Sequence, residues 1–200
     1  MRVRFCDEFE SGIGWLEEGS RLERCAHVLV VDGRVWIIDP FDADGVEQKI
    51  RALGEPAGVI QLLDRHERDG AAFAERFGVA LHRAPAGDAP TAPFELIPVV
   101  GVPGWRELAL WWPQAHTLVC ADVLGTTGYF LAPGEVLAVH PLRRLTPPRR
   151  LVGLPAAHVL VGHGEGIHGG DAASSLDEAI RTARRRIPRW LAGLSKAKEK

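Results

Sequence analysis

Seven consecutive residues, Asp64-Arg-His-Glu-Arg-Asp-Gly70, carry more charge than any other stretch in the first half of the chain. They follow the apolar run Val59-Ile-Gln-Leu-Leu63. Such a run, bounded by Gly58 and by charge, reads as a strand buried on both faces. Charged loops at the carboxyl ends of strands are where α/β proteins place chemistry. Carboxylates and imidazole accept protons or ligate metal, whereas a guanidinium stays protonated and offers no lone pair. A simply solvated loop is the alternative reading. Other familiar chemistries are absent from the sequence. Gly162-His-Gly-Glu-Gly-Ile-His-Gly-Gly170 is glycine-rich but lacks the Lys-Ser/Thr ending of a phosphate loop, and no Gly-x-Ser-x-Gly nucleophile elbow occurs. Cys6, Cys25 and Cys120 are not spaced as a zinc knuckle or a redox pair, and fit a reducing cytoplasm.

The elements that must position this loop are readable from pattern. His27–Val31 and Val35–Asp39 flank an Asp32-Gly33 turn and predict a hairpin that Pro40 ends. Val46, Ile50 and Leu53 mark one face of a helix over 45–53, and Ala71–Phe77 predicts a second, with Asp69 placed to cap it. Further strands are expected at 79–82, 94–100, 108–112, 117–121, 136–139 and 159–162. Ser175 and Glu178 form a capping box for a last helix that Pro188 kinks or stops. Two similar runs of strands and helices suit two sheets packed face to face with helices outside. The 200 residues, 46% hydrophobic, predict a single domain over 1–200.

The net charge of −2 gives no general attraction to nucleic acid or anionic membrane. Residues 181–200 carry +7, leaving −9 on the rest, and this basic tail, about 190–200 at its end, is expected to be a solvated last helix with a frayed end. No apolar stretch has the length of a membrane span, and the N-terminus has no signal-peptide core. The chain is therefore expected to be soluble and cytoplasmic, with a small molecule of unknown identity as partner, nucleic acid disfavoured and the oligomeric state open.

The order of hairpin ending in Ile-Asp-Pro40, helix, apolar strand, charged loop and helix, followed by Thr117-Leu-Val-Cys-Ala-Asp-Val-Leu124 and Val159-Leu-Val-Gly-His-Gly164, resembles the metallo-β-lactamase superfamily. The resemblance covers about residues 25–190 and implies a four-layer αββα sandwich. It also implies two metals, most often zinc, held by a HxHxDH loop, a later His, a bridging Asp and a last His. Carried over by position, Arg65 and Glu67 stand where the first two His belong, Asp69 matches the Asp, Gly70 replaces the third His and Trp105 the later one. Asp122 matches the bridging Asp and His163 the last His, so three of seven ligand positions survive.

Two expectations follow from that resemblance. In the first, the dinuclear hydrolase site is lost and Arg65 replaces the metal charge beside Asp69 and Asp122. Glu67, Trp105 and His163 complete a ligand-binding cleft, no cofactor is bound and the protein serves as a binding or regulatory module. In the second, one zinc, iron or manganese ion survives on the vestigial ligands Asp69, Asp122 and His163 and supports hydrolysis. His66 is expected to face away from the site, His168 lies in a loop within reach of the cleft mouth, and His27, His82, His116 and His140 share no motif.

Overall fold

The computed structural model describes residues 2–197, and its strands form two large sheets. The first contains β1 (Val3–Phe9), β2 (Gly12–Glu17), β3 (Cys25–Val31), β4 (Arg34–Ile38), β5 (Glu55–Gln61) and β6 (Leu81–Arg83), in that order. Antiparallel pairing from β1 to β4 gives way to parallel pairing along β4, β5 and β6. The second sheet runs β13-β12-β9-β8-β7, built from β7 (Glu95–Val102), β8 (Trp105–Trp112), β9 (Thr117–Cys120), β12 (His158–Val161) and β13 (Ile167–His168). Within it β12 lies parallel to β9. A separate two-stranded ribbon joins β10 (Leu124–Gly125) to β11 (Ala138–Val139).

Alternation along the strands sorts the apolar side chains into two cores, because successive strand residues face opposite ways. Val28, Val35, Ile37 and Val59 pack with Val46 and Ile50 of α1 (Val46–Leu53) and Phe73 of α2 (Gly70–Phe77). Leu29, Trp36, Ile38 and Ile60 turn the other way and share a second cluster with Leu110, Leu118, Val119 and Val159 of the second sheet. Leu176, Ala179 and Ile180 of α3 (Ala172–Thr182) close that core from outside. Helices thus flank two stacked sheets, the expected α/β sandwich.

Several boundaries differ from the pattern. The first 24 residues carry a hairpin, β1 and β2, that the pattern did not assign. Asp69 occupies the residue before α2 but makes no side-chain cap; its Oδ2 accepts the Asp42 amide at 2.7 Å instead. The last helix is two: α3 begins after Asp171, three residues before the predicted box, so Ser175 lies inside it with its amide on Asp171 O. Residues Ile187–Ala197 form α4, and 198–200, the last of the basic tail, lie outside the described residues. Among the described residues no helix is long and apolar enough to cross a membrane.

Candidate functional site

The parallel pairs β4–β5 and β9–β12 direct their carboxyl ends to one place. Asp39 follows β4, Leu62 to Asp69 follow β5, Asp122 follows β9 and His163 follows β12. Backbone hydrogen bonds fasten the two sheets together there: Leu108 N donates to Leu62 O, Asp64 N to Arg106 O and Cys25 N to Gly162 O. Gly162 is required at this seam, since a Cβ would lie 2.5 Å from Ala121 O.

Asp122 is the hub. Its Oδ1 lies 2.9 Å from His66 Nε2 and 3.0 Å from His163 Nε2, and its Oδ2 accepts Arg65 Nη2 at 3.0 Å. Burial acts to raise its pKa, but hydrogen bonds from His163 and His66 outweigh that and hold the carboxyl far below the usual range. Asp39, in the left-handed region at φ 45°, accepts Leu62 N on Oδ1 and faces His66 Nδ1 at 3.1 Å with Oδ2. For His66, burial and Arg68 disfavour the imidazolium; Asp39 and Asp122 prevail and raise its pKa.

The carboxylate Glu107, which the sequence did not mark, lies fully buried beneath this hub. Its Oε1 accepts three successive amides, Ala121, Asp122 and Val123, at 3.0–3.1 Å, and its Oε2 accepts Trp105 Nε1 at 2.9 Å. Burial, with the charge of Asp122, pushes its pKa up to about 7. Glu107 fixes the turn that presents Asp122 and orients the Trp105 ring. The buried ring has the Arg65 guanidinium 4.4 Å and the Arg143 guanidinium 5.9 Å from its centroid and His140 edge-on at 4.8 Å. His140 is held near pKa 4, mainly by burial. Phe130 stacks on His163 at 5.7 Å.

The predicted site residues divide. Arg65, Trp105, Asp122 and His163 come together, whereas Glu67 is exposed and Asp69 is engaged with the Asp42 amide outside the cluster. His66, expected to face away, is the correction: it takes the inward place assigned to its neighbours. The loop turns tightly, with His66 N on Leu63 O and Arg68 at φ 37°, so ligand positions counted from Arg65 fall out of step. The loop's single imidazole was the available signal. Arg68 is a second residue that sequence reasoning passed over. Its Nη1 donates to Cys25 O and Asp39 O, both at 2.8 Å, which places a buried guanidinium behind the hub. Burial lowers its pKa, against the attraction of Asp39 and Asp122. His168 pairs with Asp7 at 3.1 Å instead of reaching the cleft.

The arrangement offers one group with the donors for an ion. His163 Nδ1 lies 2.9 Å from Leu22 O, an acceptor, so Nδ1 carries the hydrogen and a neutral ring leaves Nε2 bare. Asp39 assigns the same tautomer to His66. Two bare nitrogens facing one carboxylate oxygen require a cation between them, either protons or a metal. His66, Asp122 and His163 accordingly form a group able to hold an ion.

Neither a family model nor a curated protein matches the chain in sequence. Solved structures do match in shape. The metallo-β-lactamase DIM-1 exposed to ceftazidime is 13% identical, with a TM-score of 0.57 over 92% of this chain and 98% of that one. TMB-1, whose structure addresses the role of two residues in substrate and inhibitor binding, is 13% identical with a TM-score of 0.55 over 90% of this chain and 98% of that one. At this identity the likeness concerns the fold: the chain has the αββα fold of the metallo-β-lactamase superfamily.

Proposed function

We propose that the cleft binds a small anionic or polar ligand, that the chain's own cations serve where a hydrolase holds two metals, and that the protein is a binding or regulatory module. The observation that carries this reading is the Arg65 guanidinium lying on Asp122 at 3.0 Å while its side chain remains 46% exposed. A planar cation with five donors can hold Asp122 on one edge and a ligand oxygen on another. Arg65 and Arg68 match Asp39 and Asp122 in number, so below about pH 7, where Glu107 is protonated, a proton on His66 leaves the cluster positive and favourable to an anion. Trp105, carrying Arg65 and Arg143 near its ring, would be the apolar floor of that subsite. Calorimetric titration with inorganic phosphate tests the reading. We expect saturable binding that weakens at least about tenfold in Arg65→Ala, the loss of one charge-assisted contact of about 1.5–3 kcal/mol. Absence of binding, or equal affinity in the variant, would overturn it.

The imidazole tautomers support a second reading, a hydrolase with a single ion on His66 Nε2, Asp122 Oδ1 and His163 Nε2, replacing Asp69 of the expected set with His66. Metal-ligating imidazoles commonly donate their other N–H to a carboxylate or carbonyl, as His66 does to Asp39 and His163 to Leu22. Such an ion would supply Lewis acidity and an acidified water. The fold alone does not choose among esters, thioesters, phosphoesters and amides. Metal content of protein purified without chelator separates the readings. One equivalent lost in His163→Ala establishes the second and ends the first, whereas equal content in both proteins supports the first.

A further inference from the structure

Outside the cleft, the unpredicted hairpin encloses a cluster of different chemistry. Cys6 and Asp7 of β1 and Cys25 and His27 of β3 are all buried. Neighbouring strand residues ordinarily point to opposite faces. Asp7, however, sits at φ 51° where the β1–β2 register shifts between Cys6 and Phe9, and this bulge brings Cys6 and Asp7 to the same group. On the strand between, Gly14 leaves the room: a Cβ there would lie 2.9 Å from His27 Cδ2 and 3.2 Å from both Cys6 Sγ and Asp7 Oδ2.

Asp7 is oriented for a central partner. Its Oδ1 is occupied by the Gly166 amide at 2.8 Å and His168 Nε2 at 3.1 Å. Its Oδ2 faces His27 Nε2 at 3.1 Å, Cys6 Sγ at 3.6 Å and Cys25 Sγ at 3.9 Å. The sulfurs are 3.6 Å apart, and Cys25 Sγ is 3.4 Å from His27 Nε2.

Cys6, Asp7 and Cys25 are spaced as ligands of one ion, and His27 stands within ligand distance of Asp7 and Cys25. Tetrahedral zinc, with bonds of about 2.3 Å to sulfur and about 2.0–2.1 Å to nitrogen or oxygen, sets its ligands about 3.8 Å apart for two sulfurs, 3.5 Å for mixed pairs and 3.3 Å for nitrogen and oxygen. A disulfide is a poor alternative. Both cysteines are free, with sulfurs 3.6 Å apart where a disulfide needs about 2.05 Å. Cys6, Asp7 and Cys25 also satisfy the mutual distances of a metal-holding group.

We infer that Cys6, Asp7 and Cys25 form a structural site for a thiophilic divalent cation, zinc by its ligand chemistry, with His27 placed beside them to complete the shell on loading. The ion joins β1 to β3 across Gly14. Two thiols become thiolates on loading, and their two protons pass to solvent. The ligands are all buried, so the site stabilises the fold and is not open to a substrate.

Cobalt titration of the full chain tests this, because thiolate ligation gives a sulfur-to-cobalt charge-transfer band in the near ultraviolet that a His2Asp site does not produce. We expect one equivalent of cobalt to develop the band in the wild type, with release of two protons, and the band to persist in His163→Ala and disappear in Cys25→Ser. The His163 variant keeps this outcome independent of the cleft's metal state. Absence of the band from the wild type, or its survival in Cys25→Ser, would overturn the inference. Because the wild-type spectrum decides first, a Cys25 variant that fails to fold does not shield the inference. Cys6→Ser, expected to lose most of the band, provides the second variant.

Discussion

Glu107 is a carboxylate placed where water cannot reach it, surrounded by four N–H donors and adjacent to the charge of Asp122. The donors favour its ionised form, while burial and Asp122 oppose it, and the balance leaves its pKa at about 7. In the unfolded chain the same group ionises near pH 4.5, so between about pH 4.5 and 7 the folded state binds the extra proton. Stability from this group is therefore complete at lower pH and declines as pH rises through the window, by about 3 kcal/mol in total. Glu107→Gln keeps the amide acceptor but never ionises, so its stability relative to wild type should rise by about that amount between pH 5 and 8. Urea unfolding of both proteins at the two pH values measures it. A difference that stays constant across the window would show that Glu107 does not titrate there. Glu107→Ala would strand all four donors and should be far more destabilising than Glu107→Gln at either pH.

The connection from β10 to β11 and beyond is held by an ion pair rather than by strands. Arg144 is fully buried, its Nη1 and Nη2 on the two oxygens of Glu135 at 3.0 and 2.6 Å and Nη2 also on Phe130 O at 2.7 Å. This clamp fixes the segment that brings Phe130 against His163 and His140 against Trp105. Removing one partner leaves a buried charge uncompensated, so Arg144→Met should cost about 3–5 kcal/mol, and adding Glu135→Leu should recover most of it. A double-mutant cycle by urea denaturation checks both steps, and equal loss in the single and double variants would refute the clamp. The sequence marked only a strand at 136–139 in this segment, of which Ala138–Val139 forms; its other residues lack periodicity, and one buried ion pair supplies the order. Where burial imposed a period the elements were legible, as in His27–Val31, Val46–Leu53 and Ala71–Phe77, each found within a few residues of its expected bounds. The β1–β2 hairpin was not legible because a bulge and Gly14 interrupt its alternation. In the cleft, Arg65, Trp105, Asp122 and His163 were legible by position. His66, Arg68 and Glu107 were not, since a tight loop displaced the first two and Glu107 acts through a fold not visible from its neighbours in the chain.

At the scale of the molecule, the two sheets are not merely stacked on apolar side chains. They share backbone hydrogen bonds at their carboxyl ends, and the cleft lies on that seam. Gly162 contributes twice to it: its carbonyl accepts Cys25 N at 2.8 Å from the first sheet, and its amide donates to Ala121 O at 2.9 Å beside Asp122. The Arg68 guanidinium completes the seam, placed between Cys25 O, Asp39 O and, at 3.5 Å, Gly162 O. Because the atom nearest a Cβ on Gly162 is backbone, no rotamer change relieves the contact at 2.5 Å. The strands must separate instead, and both hydrogen bonds lengthen. Gly162→Ala should therefore destabilise by more than about 2 kcal/mol, the cost of overpacking together with weakened buried hydrogen bonds. Its effect should also reach both sheets, since β9, β12 and β3 all meet there. Amide hydrogen exchange distinguishes this from local damage. Protection is expected to fall together in β3 and in β9, with the Asp122–His163 pair lost in the same step. If exchange accelerates in β12 alone, the seam does not couple the sheets, and the cleft depends on the second sheet only.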